Sequence, residues 1–317
     1  MPFGLLTGLG AALSWGTMDV LSALAGRRVG SLLVTAGVVV AGALLLLVLA
    51  LVGGMSIELA PRTVAVAAVL GVISAGAYFA YFTGLRVGPI SVVSGMVAAY
   101  GGLTVVLSVA FRGETLTLTQ AFGAAIATVG VILTGIAFEG GLRGTRFAGP
   151  GVVFAVVALV LFAMMAITTD VALESAGWLE VLLVSRIVTA GVSLLVVAGV
   201  ALANRRRVVV AAPRGPGPGM TGNVAPSAPE RRPGTALASR GRILGAIAVA
   251  GALDVLGLVS FSIGLERAPT WLVGLASSFG PAVTILVAVA LLGERLKPIQ
   301  WAGLGGVAIG MIAIAFP

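Results

Sequence analysis

Apolar residues run through this chain in long blocks separated by brief polar interruptions, and the blocks share a length. A helix crossing roughly 30 Å of hydrocarbon needs about 20 mainly apolar residues. Ten stretches meet that requirement, near 3–25, 31–53, 63–85, 88–111, 117–138, 147–169, 178–203, 243–265, 269–292 and 297–316. Most are divided by short turns such as Gly26-Arg27-Arg28, Gly113-Glu114 and Gly293-Glu294-Arg295. Unpaired backbone is costly in lipid, so each block is expected to close its own hydrogen bonds as a helix. The first block has no basic stretch ahead of it and reads as a retained helix, not a cleaved leader. Residues 204–241 break the pattern, being rich in Pro, Gly and Arg. Almost nothing in that segment can be buried, and it is expected to be a disordered loop between helices seven and eight.

Composition narrows the class. Hydrophobic residues make up 59% of the 317 positions and charged residues 9%, against about 25% charged in soluble domains. So few charges cannot clothe a water-soluble body of this size, which excludes an ordinary cytosolic enzyme and leaves an all-α, polytopic membrane protein. The chain has no cysteine and no histidine. Disulfides, thiolate nucleophiles and the commonest general base and metal ligand are therefore absent. With no nucleophile–base pair and no metal constellation, neither enzymatic activity nor a metal or other cofactor is expected. Gly4, Gly8 and Gly10 lack the strand context of a nucleotide loop, so ATP is not expected to act directly.

The formal charge of +8 is concentrated. Arg205, Arg206, Arg207, Arg214, Arg231, Arg232 and Arg240 lie in the 204–241 segment against the single acid Glu230. Basicity this local speaks of orientation, and no nucleic-acid partner is expected. Turns after odd-numbered helices hold 15 of the Lys and Arg residues, and those after even-numbered helices hold 3. The positive-inside rule then puts both termini outside and the long loop in the cytoplasm of a cell with a multi-pass plasma-membrane protein.

The chain also repeats itself. Residues 84–136 align without a gap on 264–316, at an offset of 180, with 14 identities in 53 positions. Gly84-Leu85, Pro89, Thr104, Gly113-Glu114, Leu116, Gln120, Gly123 and Gly130 recur as Gly264-Leu265, Pro269, Thr284, Gly293-Glu294, Leu296, Gln300, Gly303 and Gly310. Five spans per half is an odd number, so residues 147–317 are expected to insert upside down relative to 1–138. Two inverted five-helix repeats around a midplane site are an architecture of secondary transporters.

With its two Gly-Glu-x-Leu turns, Trp15-Gly16 in the first helix and Gly280-Pro281 in the ninth, the chain resembles the EamA-type branch of the drug/metabolite transporter superfamily. The resemblance spans nearly everything outside 204–241 and implies ten helices with a central cavity between two five-helix halves. Tyr100-Gly101 stands where the ninth helix keeps Gly280-Pro281, so the proline break is missing from the first half. Phe162-Ala163 stands where the first helix has Trp15-Gly16.

Charges buried in lipid cost about 2.5–3.5 kcal/mol each on insertion scales, so they face cavities or partners. Asp19, Asp254 and Arg186 are the three that stand out within the expected spans. Without histidine, Asp19 or Asp254 would have to carry any coupled proton. Arg186 is open to three readings: an anchor for a substrate carboxylate or a fixed counter-ion, a partner neutralising Asp254 on the adjoining helix, or a side chain that snorkels outward along its stem. Asp19, with Trp15 and Thr17 beside it, is expected to line the cavity. Tyr78 and Tyr81, on one face of helix three, and Tyr100 are further lining candidates, since a buried phenol needs a partner. Glu114 and Glu294 sit at helix boundaries and read as structural caps that accept backbone N–H groups. Trp271 and Trp301, near helix ends, read as interface anchors. The expected function is export of small organic metabolites, such as amino acids, by alternating access, with a proton or cation coupled. The competing readings are a lipid or polyprenyl-carrier flippase and a membrane scaffold or sensor that transports nothing.

Overall fold

A computed structural model describes residues 2–53, 60–87, 93, 96–135, 150–210, 233–280, 282–283, 286–287 and 298–315. Among these there is no strand, and ten helices are described: α1 (Pro2–Val29), α2 (Ser31–Val52), α3 (Pro61–Val87), α4 (Tyr100–Arg112), α5 (Leu118–Gly135), α6 (Pro150–Leu173), α7 (Trp178–Val210), α8 (Pro233–Leu265), α9 (Thr270–Ser277) and α10 (Pro298–Ala315). Six contain stretches long and apolar enough to cross a membrane, in α2, α3, α6, α7, α8 and α10. Tyr100–Arg112 and Leu118–Leu133 are shorter apolar helices.

Two expectations need correcting. Helix α7 continues to Val210 and α8 starts at Pro233, so both ends of the 204–241 segment are helical. Pro233 suits a first helical position, where no N–H is needed. Residues 211–232 lie outside the described residues. The second correction concerns the missing proline. Ala98 and Ala99 form a turn just before α4, and Ser278 and Phe279 form one just after α9. These positions are 180 apart, and Ala99 and Ser278 share the same backbone angles, φ −70 and ψ −4. Ala99 N–H donates to Met96 O at 3.1 Å and Phe279 N–H to Ala276 O at 3.5 Å. Both are the tight i→i−3 pattern. The first half therefore turns here without a proline.

The Gly113-Glu114 turn has a simple local cause. Gly113 closes α4 with φ 65, a left-handed conformation glycine adopts without a Cβ penalty. Helix α5 opens on a capping box: Thr117 N–H donates to Gln120 Oε1 at 2.9 Å, and Gln120 N–H donates to Thr117 Oγ1 at 3.2 Å. Gln120, one of the repeated residues, thus works at a helix start.

Packing joins the two halves throughout. Helix α5 lies on α10, α4 on α9, and α2 on α7. Helix α3 packs on α6 and α7, as α8 packs on α1 and α2; α4 meets α6 as α9 meets α1. Exchanging each helix for the one five places away returns the same set of pairs. Close approaches of backbone to backbone are made by glycines related in the same way. A Cβ on Gly130 would stand 2.7 Å from Gly303 O, and one on Gly310 would stand 2.6 Å from Gly123 O. A Cβ on Gly71 would stand 2.6 Å from Ser185 O, and one on Gly251 would stand 2.9 Å from Val38 O. Lipid is as apolar as leucine, so helices associate through such close backbone packing, not by hiding hydrophobic faces from water. Helix α4 follows this logic: Gly101, Thr104 and Ser108 are buried, while Val106, Val109 and Phe111 face outward.

Candidate functional site

A cavity opens between the halves, next to the two turns at Ala98-Ala99 and Ser278-Phe279. From the first half it is lined by Trp15, Met18 and Asp19 of α1, Tyr78, Tyr81 and Phe82 of α3, and Val97, Ala98 and Tyr100 around the start of α4. From the second half come Phe162 and Met165 of α6, with Ser277 and Gly280 around the end of α9. Its volume, counted as the space open to the centre of a water molecule, is about 80 Å³. One water needs roughly 10–15 Å³ by that measure, so the space suits a small organic solute.

Helical spacing explains the lining. Trp15, Met18 and Asp19 fall at i, i+3 and i+4, on one face of α1. Thr17 lies two positions from Asp19, on another side, and its hydroxyl donates to Leu13 O at 2.8 Å. It does not line the cavity. Trp15 has room because Gly257 carries no side chain: a Cβ there would stand 2.5 Å from the indole Nε1. Phe162 is the hub of the wall. Its ring centroid is 5.8 Å from that of Tyr78, 6.1 Å from Tyr81 and 5.8 Å from Tyr100. Sequence reasoning noted Phe162 only as a departure from Trp-Gly. A hydrocarbon ring in an apolar helix carries no mark of its own. Gly280 had such a mark, in its neighbour Pro281. Two of the three tyrosine hydroxyls are engaged: Tyr100 shares a hydrogen bond with Ser277 Oγ at 3.1 Å, and Tyr78 donates to Asp254 Oδ1 at 3.2 Å.

Arg186 and Asp254 do not line this cavity. They face each other behind Tyr78, with Arg186 Nη2 donating to Asp254 Oδ2 at 2.5 Å and side-chain exposures of 3% and 1%. Of the readings the sequence left open, the neutralising pair is the arrangement present. A small space beside Arg186 is edged by Ser74, Thr169, Ser185 and Thr189. Asp19 differs: among the described residues it has neither an ion pair nor a hydrogen bond. Among the described residues of the cavity wall it is the one ionisable carboxylate or base, tyrosines aside.

At one end of the bundle, three turns meet. Glu114 accepts the N–H groups of Thr270 at 2.7 Å and Trp271 at 3.0 Å. The helix it serves is α9, in the other half, and not α5, which follows it in the chain. Trp271 is 1% exposed and belongs to the core, which corrects its reading as an interface anchor; Trp301 is exposed. Glu294 lies outside the described residues. Arg112 Nε donates to Asp170 Oδ2 and its Nη2 to Glu174 Oε1, both at 2.6 Å. These ion pairs tie α4 to the end of α6 and went unnoticed in the sequence. Carboxylates four apart at the close of an apolar helix were the available signal. Thr63, near the start of α3, donates to Ser175 O at 3.4 Å on the same face. Among the described residues no group of three or more metal-ligating side chains occurs.

Comparison with known proteins agrees with this geometry. A solved structure described only as a crystal structure of a protein is 20% identical, with 99% of this chain and 98% of that one covered and a TM-score of 0.70. At that identity the likeness speaks for the fold. Comparison with curated proteins returned no match. The profile of the EamA-like transporter family matches residues 2–136 and 227–316, which takes in α1 to α5 and α8 to α10 with most of the cavity wall. An all-helical, multi-pass membrane protein with a solute-sized space between its halves, matched by that profile over most of its length, belongs to the EamA-like transporter family.

Proposed function

We propose that this chain is a secondary active exporter of a small organic solute, working by alternating access. Ten membrane helices form two five-helix repeats of opposite orientation, which rock against each other about the cavity. One observation carries the reading: the cavity is walled by α1, α3 and α4 of one half and α6 and α9 of the other, so relative motion of the halves must open or close it. Two others support it. The helix pairs are unchanged when the halves are exchanged. The turns at Ala98-Ala99 and Ser278-Phe279 interrupt helices beside the cavity, a common feature of transporter binding sites.

Asp19 is the group that meets a coupled proton or cation, because Asp254 is committed to Arg186 and Tyr78. Arg186 then serves the fold, and the described residues of the cavity wall include no arginine to hold the carboxylate of an amino acid. The 4–5, 6–7 and 8–9 turns gather on one face, through Arg112, Glu114, Asp170, Glu174 and Thr270. Charge distribution makes that face the outside and puts the basic 204–241 segment in the cytoplasm of a plasma-membrane protein.

The absence of cysteine makes the topology directly testable by single-cysteine labelling. Thr115→Cys should react with an impermeant maleimide from outside intact cells, and Arg295→Cys, its equivalent in the second half, only from within. Reaction of both from one side would remove the inverted repeat. Function is read in proteoliposomes screened with small organic solutes under an imposed pH gradient. Asp19→Asn is expected to reduce gradient-driven uptake to the level of empty liposomes. Uptake at the parent rate would take Asp19 out of the mechanism.

A further inference from the structure

The chemistry of the cavity wall selects a charge type. We infer that the cavity takes an alkylated organic monocation, an ammonium whose charge is shielded by methyl or larger groups, held by Asp19 and the surrounding aromatic rings. The inference rests on the transport reading of the same cavity and names the class of solute.

Charge comes first. Among the described residues Asp19 has no counter-ion, and none of the described lining residues is a Lys or Arg. The nearest buried cation in the described structure, Arg186, already faces Asp254 behind Tyr78. An anionic solute would bring a second negative charge beside Asp19 in a medium of low dielectric. A zwitterion would leave its carboxylate without a partner. A neutral solute would leave Asp19 to a proton alone. A monocation completes the pair.

The wall then separates kinds of cation. A hard metal ion needs about six oxygen ligands, and the wall offers the Asp19 carboxylate and little else. A primary ammonium has three N–H donors to satisfy. Beside Asp19 the side-chain acceptors of the described wall are four hydroxyls: Tyr100 and Ser277 already bond each other, Tyr78 is oriented by Asp254, and Tyr81 is left to serve. A quaternary or tertiary ammonium asks for few acceptors or none. What it does use is abundant here. Trp15, Tyr78, Tyr81, Tyr100 and Phe162 bring electron-rich ring systems to the cavity, and such rings attract cations within about 6 Å of their centroids. Tyr81 and Phe162 meet edge to face in that wall, with centroids 6.1 Å apart.

The test is equilibrium binding by calorimetry to the purified full-length protein in lipid nanodiscs, followed by flux in proteoliposomes. The probes are tetramethylammonium, choline, the uncharged choline isostere 3,3-dimethylbutan-1-ol, and glycine betaine, which adds a carboxylate to the same head group. Choline or tetramethylammonium should bind at least about tenfold more tightly than the uncharged isostere, the size expected for a desolvated cation–π and carboxylate contact. Asp19→Asn should erase that difference while leaving the elution profile of the protein unchanged. Phe162→Leu should weaken the cations alone, and Phe162→Tyr should restore them. Equal or tighter binding of the isostere or of betaine overturns the inference, and so does a panel in which neither cation binds. Flux separates the two readings. Cation binding without flux of any solute keeps the site and sinks transport, whereas flux of uncharged or zwitterionic solutes without cation binding keeps transport and sinks the cation.

Discussion

Asp254→Ala is expected to unfold far below the parent protein, with a loss of about 3–5 kcal/mol, because it strands the Arg186 guanidinium in the interior. The partner is 3% exposed and has no second acid within reach among the described residues. Its Nε and Nη1 have no hydrogen-bond partner even in the parent, so the pair is only partly satisfied as it stands. That shortage sets the second half of the expectation. Removing both charges, in the double variant Arg186→Met with Asp254→Leu, should recover most of the loss, since a charge-free replacement of a buried pair is often neutral or better. Tyr78 loses its acceptor in either variant, and Tyr78→Phe in the same background isolates that part. Denaturant unfolding in detergent micelles, arranged as a double-mutant cycle, gives the coupling energy. A single variant as stable as the parent would show that Arg186 finds water when Asp254 is gone.

The second large effect belongs to the α5–α10 crossing. Gly310→Ala should cost about 1–3 kcal/mol, the usual range for overpacking a tight contact. The added methyl would lie 2.6 Å from both Ala127 N and Gly123 O. Those are backbone atoms of a helix, which cannot rotate aside as a side chain can. The helices must separate, and every contact along the crossing loosens with them. Gly130→Ala meets the mirror-image obstacle, at Val307 N and Gly303 O. The two substitutions are not expected to add. Once one methyl has forced the helices apart, the second finds space already made, so the double variant should cost clearly less than the sum of the singles. Unfolding midpoints of the three variants decide it. Simple additivity would mean that each glycine is accommodated locally and that the crossing does not move as a unit.

These two sites also bear on motion. Alternating access requires the halves to exchange contacts at the two ends of the cavity while some crossing holds. The α5–α10 contact lies away from the cavity wall and is made of backbone against backbone. It is suited to persist. The contacts of Arg112 and Glu114 sit at the end of the bundle and are made by side chains that can let go.

Much of this protein is written locally. Whether 20 residues enter lipid depends on the sum of their own transfer energies, so the apolar blocks, the membrane class and the repeat at an offset of 180 were legible position by position. The Gly113-Glu114 turn was legible for the same reason: glycine allows a left-handed φ and glutamate offers an acceptor. The burial cost of Asp19, Asp254 and Arg186 was legible too, since a charge in an apolar block demands an explanation wherever the chain folds. Partners are another matter. Asp254 meets Arg186 across 68 positions and Glu114 caps a helix 156 positions away, and no local energy distinguishes those partners from others. Phe162 entered the cavity without any polar atom to betray it, while Thr17, polar and two positions from Asp19, turned to its own backbone. The break before α4 appeared without a proline. Local transfer energy settles what each segment is. Which segments touch, and therefore which side chains share one cavity, follows from shape complementarity between distant helices, and that exists only once they have packed.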